Sequence, residues 1–328
     1  TSQNGQQMSL SGWMPDGSRP DSDGFDGGLF IEDQYALNDY LSIVPVLRWN
    51  YFKRESNESY PSLSDSKVTP GVTLRVTPMD SLLFWGSVNA GYRPPILDEM
   101  YFRMTYPDEE WTSIVVPNPD LKPEKSVNYE IGASALFANL AHEGDELSVK
   151  AALFYDDIKD HIFADVLAFD PENLTMTFHT YNLGHVVNKG IELSGSYSLG
   201  NFRASASYGY LHSEDKETGK RIESNTPQSA NLRLSYRINE WNVEPWYRLH
   251  WAKGGTTAEI SGETVALKNY ATHDIGMMWT PSRTGFVRLQ AGLAVTNLTN
   301  EKYWAYSGSS FPTWGFARGF RAWLSAQF

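Results

Sequence analysis

Phe202-Arg203-Ala204-Ser205-Ala206-Ser207-Tyr208-Gly209-Tyr210 is the stretch that decides the fold class. Phe202, Ala204, Ala206, Tyr208 and Tyr210 fall on one face, and Arg203, Ser205, Ser207 and Gly209 on the other. Strict alternation is the mark of a strand, because successive side chains point to opposite sides of a sheet. Outward along the chain, Ala230, Leu232, Leu234, Tyr236 and Ile238 alternate with Asn231, Arg233, Ser235 and Arg237. Trp241, Val243, Pro245, Tyr247, Leu249 and Trp251 alternate with Asn242, Glu244, Arg248 and His250. The same rule runs through 41–51, 72–76, 147–155 and 287–295, and helical periodicity is scarce.

A soluble sandwich alternates too, with its apolar face in the core. A transmembrane barrel instead turns the apolar face to lipid and the polar face, arginines included, to a wet lumen. Aromatics near strand ends (Trp49 and Tyr51; Trp241 and Trp251) suit the interfacial belts of a barrel. Connections alternate between short and long. Short links fall near 37–39, 77–80, 198–200 and 239–240, with a longer one at 138–146. Long ones fall near 54–65, 93–121, 164–175, 213–226, 252–267 and 300–314. The last strand, 316–328, puts Phe320, Ala322, Leu324, Ala326 and Phe328 on one face, and its terminal Phe resembles the assembly signal of bacterial outer-membrane barrels. The expected fold is therefore all-β, a transmembrane antiparallel β-barrel.

Composition narrows the function. The 328 residues carry 27 basic and 39 acidic side chains, a net charge of −12 that argues against nucleic acid as a partner. No cysteine is present, so thiol catalysis, thiolate metal sites and disulfides are excluded. Mean hydropathy is −0.42, and no apolar run approaches the roughly 18 residues of a membrane helix. No Gly-x-Ser-x-Gly elbow, P-loop or His-Glu-x-x-His helix occurs, and no enzyme activity is expected. Asp21, Asp23 and Asp26 depart from calcium-loop spacing and read as an acidic loop.

Tracing the links gives about 13 strands, and closed bacterial barrels have even numbers. The expectation is that residues 25–328 form the C-terminal portion of a larger barrel, with 1–24 the end of an extracellular loop. A miscount by one would instead allow a closed barrel of 12 or 14 strands.

The most specific stretch begins Gly91-Tyr92-Arg93-Pro94-Pro95 and continues Asp98-Glu99-Met100-Tyr101. After a loop it reads Asn118-Pro119-Asp120-Leu121-Lys122-Pro123-Glu124-Lys125-Ser126, then Asn128-Tyr129-Glu130-Ile131-Gly132. This resembles TonB-dependent outer-membrane receptors, in particular haem and haemoglobin receptors, whose Phe-Arg-Ala-Pro and Asn-Pro-Asn-Leu boxes flank one extracellular loop. Asn188-Lys189-Gly190-Ile191-Glu192-Leu193 and the run from Val295 to Trp304 are similar to later segments of the same family.

The resemblance implies a 22-stranded barrel whose last 13 strands this chain supplies, the first nine strands and an N-terminal plug with its TonB box lying outside it. It implies haem as the transported ligand, free or from a haemoprotein, and partnership with the TonB complex through that plug, with the remaining barrel strands and with the lipid bilayer. In haem receptors a histidine ligand commonly follows the Glu-Met-Tyr segment. Here loop 93–121 has no histidine and the matching position is Tyr106. A phenolate is a hard ligand suited to ferric haem iron, and the partner ligand would come from the plug. Tyr106 is thus the expected iron ligand, with Tyr101, Arg93, His179 and His185 the further haem-binding candidates. Asp108, Glu109 and Glu110 read as a solvated loop tip, and Arg48, Arg75, Arg203, Arg233, Arg248, Arg288 and Arg321 as a lumen wall able to hold the plug. A ferric-siderophore receptor is the first alternative, and a passive porin the second.

Overall fold

The computed structural model describes residues 16–18, 20–58, 60–107, 112–222, 226–255, 258–260, 263–265, 267–281, 287–305 and 313–327. Thirteen long strands follow one another as a meander: β1 (Ser22–Glu32), β2 (Leu41–Ser56), β3 (Leu63–Met79), β4 (Leu82–Arg93), β5 (Glu124–Ala138), β6 (Asp145–Asp170) and β7 (Thr175–Leu199), then β8 (Phe202–Asp215), β9 (Gln228–Tyr236), β10 (Val243–Ala252), β11 (Tyr270–Trp279), β12 (Arg288–Thr296) and β13 (Gly319–Gln327). Each pairs antiparallel with the next, as expected from the link lengths. Among the described residues β1 and β13 do not pair with each other, so the wall is an open, partial barrel rather than a closed small one.

The register aligns the two faces across the whole wall. Ile131, Leu153, Ile191 and Tyr210 stand directly opposite one another on β5 to β8. Met277, Leu293 and Ala322 do so on β11 to β13. These belong to an exposed apolar belt; Leu29 is 73% and Leu324 is 73% exposed. In a soluble protein such a surface would be covered, whereas here it matches the lipid-facing band of a membrane barrel. The opposite face carries polar rows. Asn89, Asn128, Asp156, Asn188 and Ser213 line up across five strands. Asn128 donates to Asp156, and the Ser213 hydroxyl donates to Asn188 Oδ1 at 2.5 Å. Arg248 is tied to Asp274, and His250 Nδ1 meets Asn231 Oδ1 at 2.8 Å. The arginines named above alternate onto this face, which is the lumen wall.

At one end the links are short. Gly200, at φ +54, lets β7 and β8 reverse across Gly200 and Asn201, a backbone region where other residues are strained. The longer link at 139–144 is organised by the Asp145 carboxylate, which accepts N–H bonds from Leu140, Ala141 and His142. At the other end, two expectations fail. Asp23 and Asp26, read as part of an acidic loop, lie within β1, where Asp26 is ion-paired with Arg54. Segment 164–175, read as a loop, is mostly strand: β6 and β7 are 26 and 25 residues long and turn at 171–174. A bilayer needs only about 9–11 strand residues, so at about 3.3 Å per residue this hairpin projects well beyond it. Polar alternation such as His179, Thr180, Tyr181, Asn182 suits a ribbon wet on both sides and so conceals it from a belt-based reading. The terminal Phe328 lies outside the described residues.

Candidate functional site

The loop between β4 and β5 is fastened at its base by its own motif residues. Arg93 and Glu124 are cross-strand partners at the last and first positions of the two strands. Arg93 Nε donates to Glu124 Oε2 at 2.9 Å and Nη2 to Oε1 at 3.2 Å. Its Nη1 also donates to Glu99 Oε1 at 3.0 Å, so one guanidinium fork holds two carboxylates. Pro94 and Pro95 end the strand because neither has an N–H to continue the ladder. The buried Arg54 side chain donates from Nε to the Pro95 carbonyl at 2.9 Å and from Nη2 to Asp26 at 2.8 Å. The next turn is a short helix α1 (Leu97–Tyr101), closed by Glu99 accepting the Ile96 N–H at 2.9 Å.

The second box locks onto this helix. Asn118 donates its backbone N–H to the Met100 carbonyl at 2.9 Å, and its Nδ2 to the Thr180 carbonyl of β7 at 2.9 Å. Asn182 of β7 brackets Lys122, accepting its N–H at 2.8 Å and donating to its carbonyl at 2.9 Å. Leu121 then packs against Met100, Tyr101 and Ile162 in a small core, with Tyr60, Leu63 and Leu97 around it. Glu124 also accepts the Ile162 N–H at 2.7 Å and lies 3.0 Å from His161 Nδ1. Burial raises the pKa of Glu124, but His161, Arg93 and the Ile162 N–H outweigh it and hold the carboxyl near about 2. The paired boxes thus form a clasp at the long-link end of the wall.

Between the boxes the loop forms a hairpin of Arg103–Pro107 and Thr112–Val116. Thr112–Val116 joins the upper edge of β7 in parallel, from Thr112 opposite Thr175 to Val116 opposite His179. Residues 16–18 add to the other side of the hairpin, and Arg103 pairs with Glu58 at 2.9 Å. Asp108, Glu109 and Glu110 lie outside the described residues.

The five sequence-predicted residues divide among three settings. Tyr106 sits half-buried in the hairpin, opposite Ser113, which is opposite Met176. By strand alternation it shares the face of Met176 and Phe178, the even-numbered face of β7 that becomes the polar wall at Asn188 and Ser194. His179 and His185 share the odd face, as expected, and therefore point away from Tyr106. His179 stacks on Tyr181 with centroids 4.8 Å apart, and His185 Nε2 is 3.0 Å from Asp157 Oδ2 at an angle short of a hydrogen bond. Tyr101 is 0% exposed, stacked on Tyr60 at 5.6 Å, with its hydroxyl unpartnered. Burial pushes its phenol up. Arg93 is the clasp residue. Glu124, His161, Asn182 and Arg54 escaped the sequence reading. For Glu124 a signal existed, since opposite charges at the two ends of one loop suit a cross-strand pair.

Thirteen lipid-belted antiparallel strands with a clasped loop at the long-link end define the wall of a bacterial outer-membrane barrel. Residues 2–298 match the family model described as TonB dependent receptor-like, beta-barrel, and the chain belongs to that family. The chain is 27% identical over 233 residues to a hemin receptor of Yersinia enterocolitica, covering 67% of this chain and 34% of the relative. It is 22% identical over 280 residues to heme/hemopexin utilization protein C of Haemophilus influenzae, covering 80% and 38%. The FrpB iron transporter of Neisseria meningitidis superposes with a TM-score of 0.66 at 20% identity, over 94% of this chain and 46% of that one. The chain thus spans about a third of the length of these curated relatives.

Proposed function

We propose that the receptor to which this wall belongs imports haem, free or released from a haemoprotein, and that Tyr106 supplies the loop-side ligand to the haem iron. The observation that carries the reading is the register of the hairpin. It turns Tyr106 to the face continuous with the lumen wall, while the clasp of Arg93, Glu99 and Glu124 holds the base of the hairpin in place. The haem-binding names of two relatives support the same cargo. A phenolate at that position would offer ferric iron a hard anionic donor, and Met104, two residues away on the same face, offers a soft apolar flank to a porphyrin ring.

Of the remaining candidates, Tyr101 serves the loop core, and His179 and His185 would need the β6–β7 ribbon to present its opposite face. Release to the periplasm would follow remodelling of a plug by the TonB complex, with the lumen arginines holding that plug by charge-assisted hydrogen bonds.

A ferric siderophore is the second reading, because an iron transporter has the same fold. Growth separates the two. A strain deprived of other iron uptake and expressing the whole receptor should grow on haemin and lose that growth with Tyr106→Ala. Growth on ferric siderophores but not on haemin overturns the haem reading.

A further inference from the structure

On the lipid-side face of β5 to β8, directly above the belt, the chain builds a cationic row that takes no part in the clasp. Lys125 of β5 stands opposite Lys159 of β6, which stands opposite His185 of β7. Lys216 continues the row, its N–H bonded to the His185 carbonyl at 2.8 Å. Alternation puts Lys125 and Lys159 on the same side as Ile131 and Leu153, which face lipid. Four residues nearer the bilayer, Tyr129 and Tyr155 form a ring pair with centroids 6.3 Å apart, the kind of aromatic belt that marks the interface.

Four strand residues rise about 13 Å, or about 9 Å in height on a strand tilted by about 45°. Lysine stems reach back along apolar surface, so the ammonium groups meet the headgroup layer.

The charges of this row are unevenly matched. His185 lies 3.0 Å from Asp157, and Lys216 pairs with Glu214 at 3.1 Å, an acid that His212 also approaches at 3.3 Å. Lys189, level with Tyr155, lies beside Glu214. Lys125 and Lys159 are exposed and make no ion pair among the described residues. Like charges directly opposite on neighbouring strands, about 5 Å apart, are unfavourable unless an anion sits between them. Asp157, two residues from Lys159 on the same face, is turned to His185, so in a chain with net charge −12 this lysine pair at headgroup height has no ion-pair partner among the described residues.

We propose that this row binds the phosphate-bearing headgroup of an anionic lipid in the extracellular leaflet, with Lys125 and Lys159 as the main contacts and Lys189 as a lower one. The phosphate supplies the missing counter-charge, and its acyl chains lie along the belt of Ile131, Leu153 and Ile191. Such a lipid would brace the foot of the β6–β7 hairpin against which the clasp is bonded, through Asn118 and Asn182.

The test is titration of the whole purified receptor with phosphatidic acid and with phosphatidylcholine of the same chains, bound lipid being counted by native mass spectrometry. Phosphatidic acid should bind saturably and phosphatidylcholine should not. The pair Lys125→Gln and Lys159→Gln should weaken binding about thirtyfold, from about 1 kcal/mol for each lysine near an anionic headgroup. Lys125→Arg with Lys159→Arg should retain it, and Lys67→Gln, on the wall face, should change nothing. Equal binding of the two lipids, or undiminished binding by the Gln pair, overturns the proposal. Should the Gln pair fail to fold, salt decides on the wild type: anionic lipid binding that is insensitive to salt overturns it equally.

Discussion

Replacing Glu124 with Gln keeps the shape of the clasp and removes its central charge. The folded carboxyl is held near about 2 against an ordinary 4.5, a depression that corresponds to about 3 kcal/mol favouring the clasped state. Glu124 is well shielded at 12% exposure but Arg93 is 43% exposed, so solvent screening brings the expected contribution to about 2 kcal/mol. A depressed acid stabilises above its unfolded value, and that stability is lost as pH falls from about 4.5 toward about 2. Wild-type amides in Leu97–Tyr101 and Thr112–Val116 should therefore exchange faster, after correction for intrinsic rates, as pH falls through that window. In Glu124→Gln the same amides should exchange about thirtyfold faster already near neutral pH, with no further change on acidification. A wild-type loop still fully protected at about pH 3, or a Gln variant that follows the wild-type pH curve, refutes the clasp.

Two further outcomes test other parts of the structure. Leu234→Arg should lower barrel stability in bilayers by about 2–4 kcal/mol, while Ser207→Arg on the wall face should cost much less; equal losses in a urea unfolding titration would reverse the facing assignment. Tyr101→Phe removes a buried hydroxyl that has no partner, so the thermal midpoint should stay level or rise. A fall in haem affinity in that variant would move the ligand contact from Tyr106 to Tyr101.

What the sequence made legible was the arithmetic of alternation. Leu232 and Leu234 against Arg233 and Ser235 told lipid from lumen, and the link lengths told thirteen strands from any helical alternative. The boxes at 92–95 and 118–121 located the loop. Less legible was anything set by non-local register. Arg93 meets Glu124 because two strands separated by a 30-residue excursion align at their ends. The parallel docking of Thr112–Val116 on β7 depends on a crossover that no local propensity encodes. That docking puts Tyr106 and His179 on opposite faces, which their separation along the chain does not reveal. The length of β6 was missed for a different reason: a ribbon beyond the membrane has no belt to betray it.

The central claim, haem captured at Tyr106, is most directly tested by titrating haemin into the whole purified receptor and following visible absorption for wild type, Tyr106→Ala and Tyr106→His. The wild type should show a saturable Soret band with a phenolate-to-iron charge-transfer feature, lost in the Ala variant and replaced by an imidazole-type spectrum in the His variant. A Soret band identical in all three would contradict the assignment of Tyr106, and no saturable haem band in any of them would contradict haem itself.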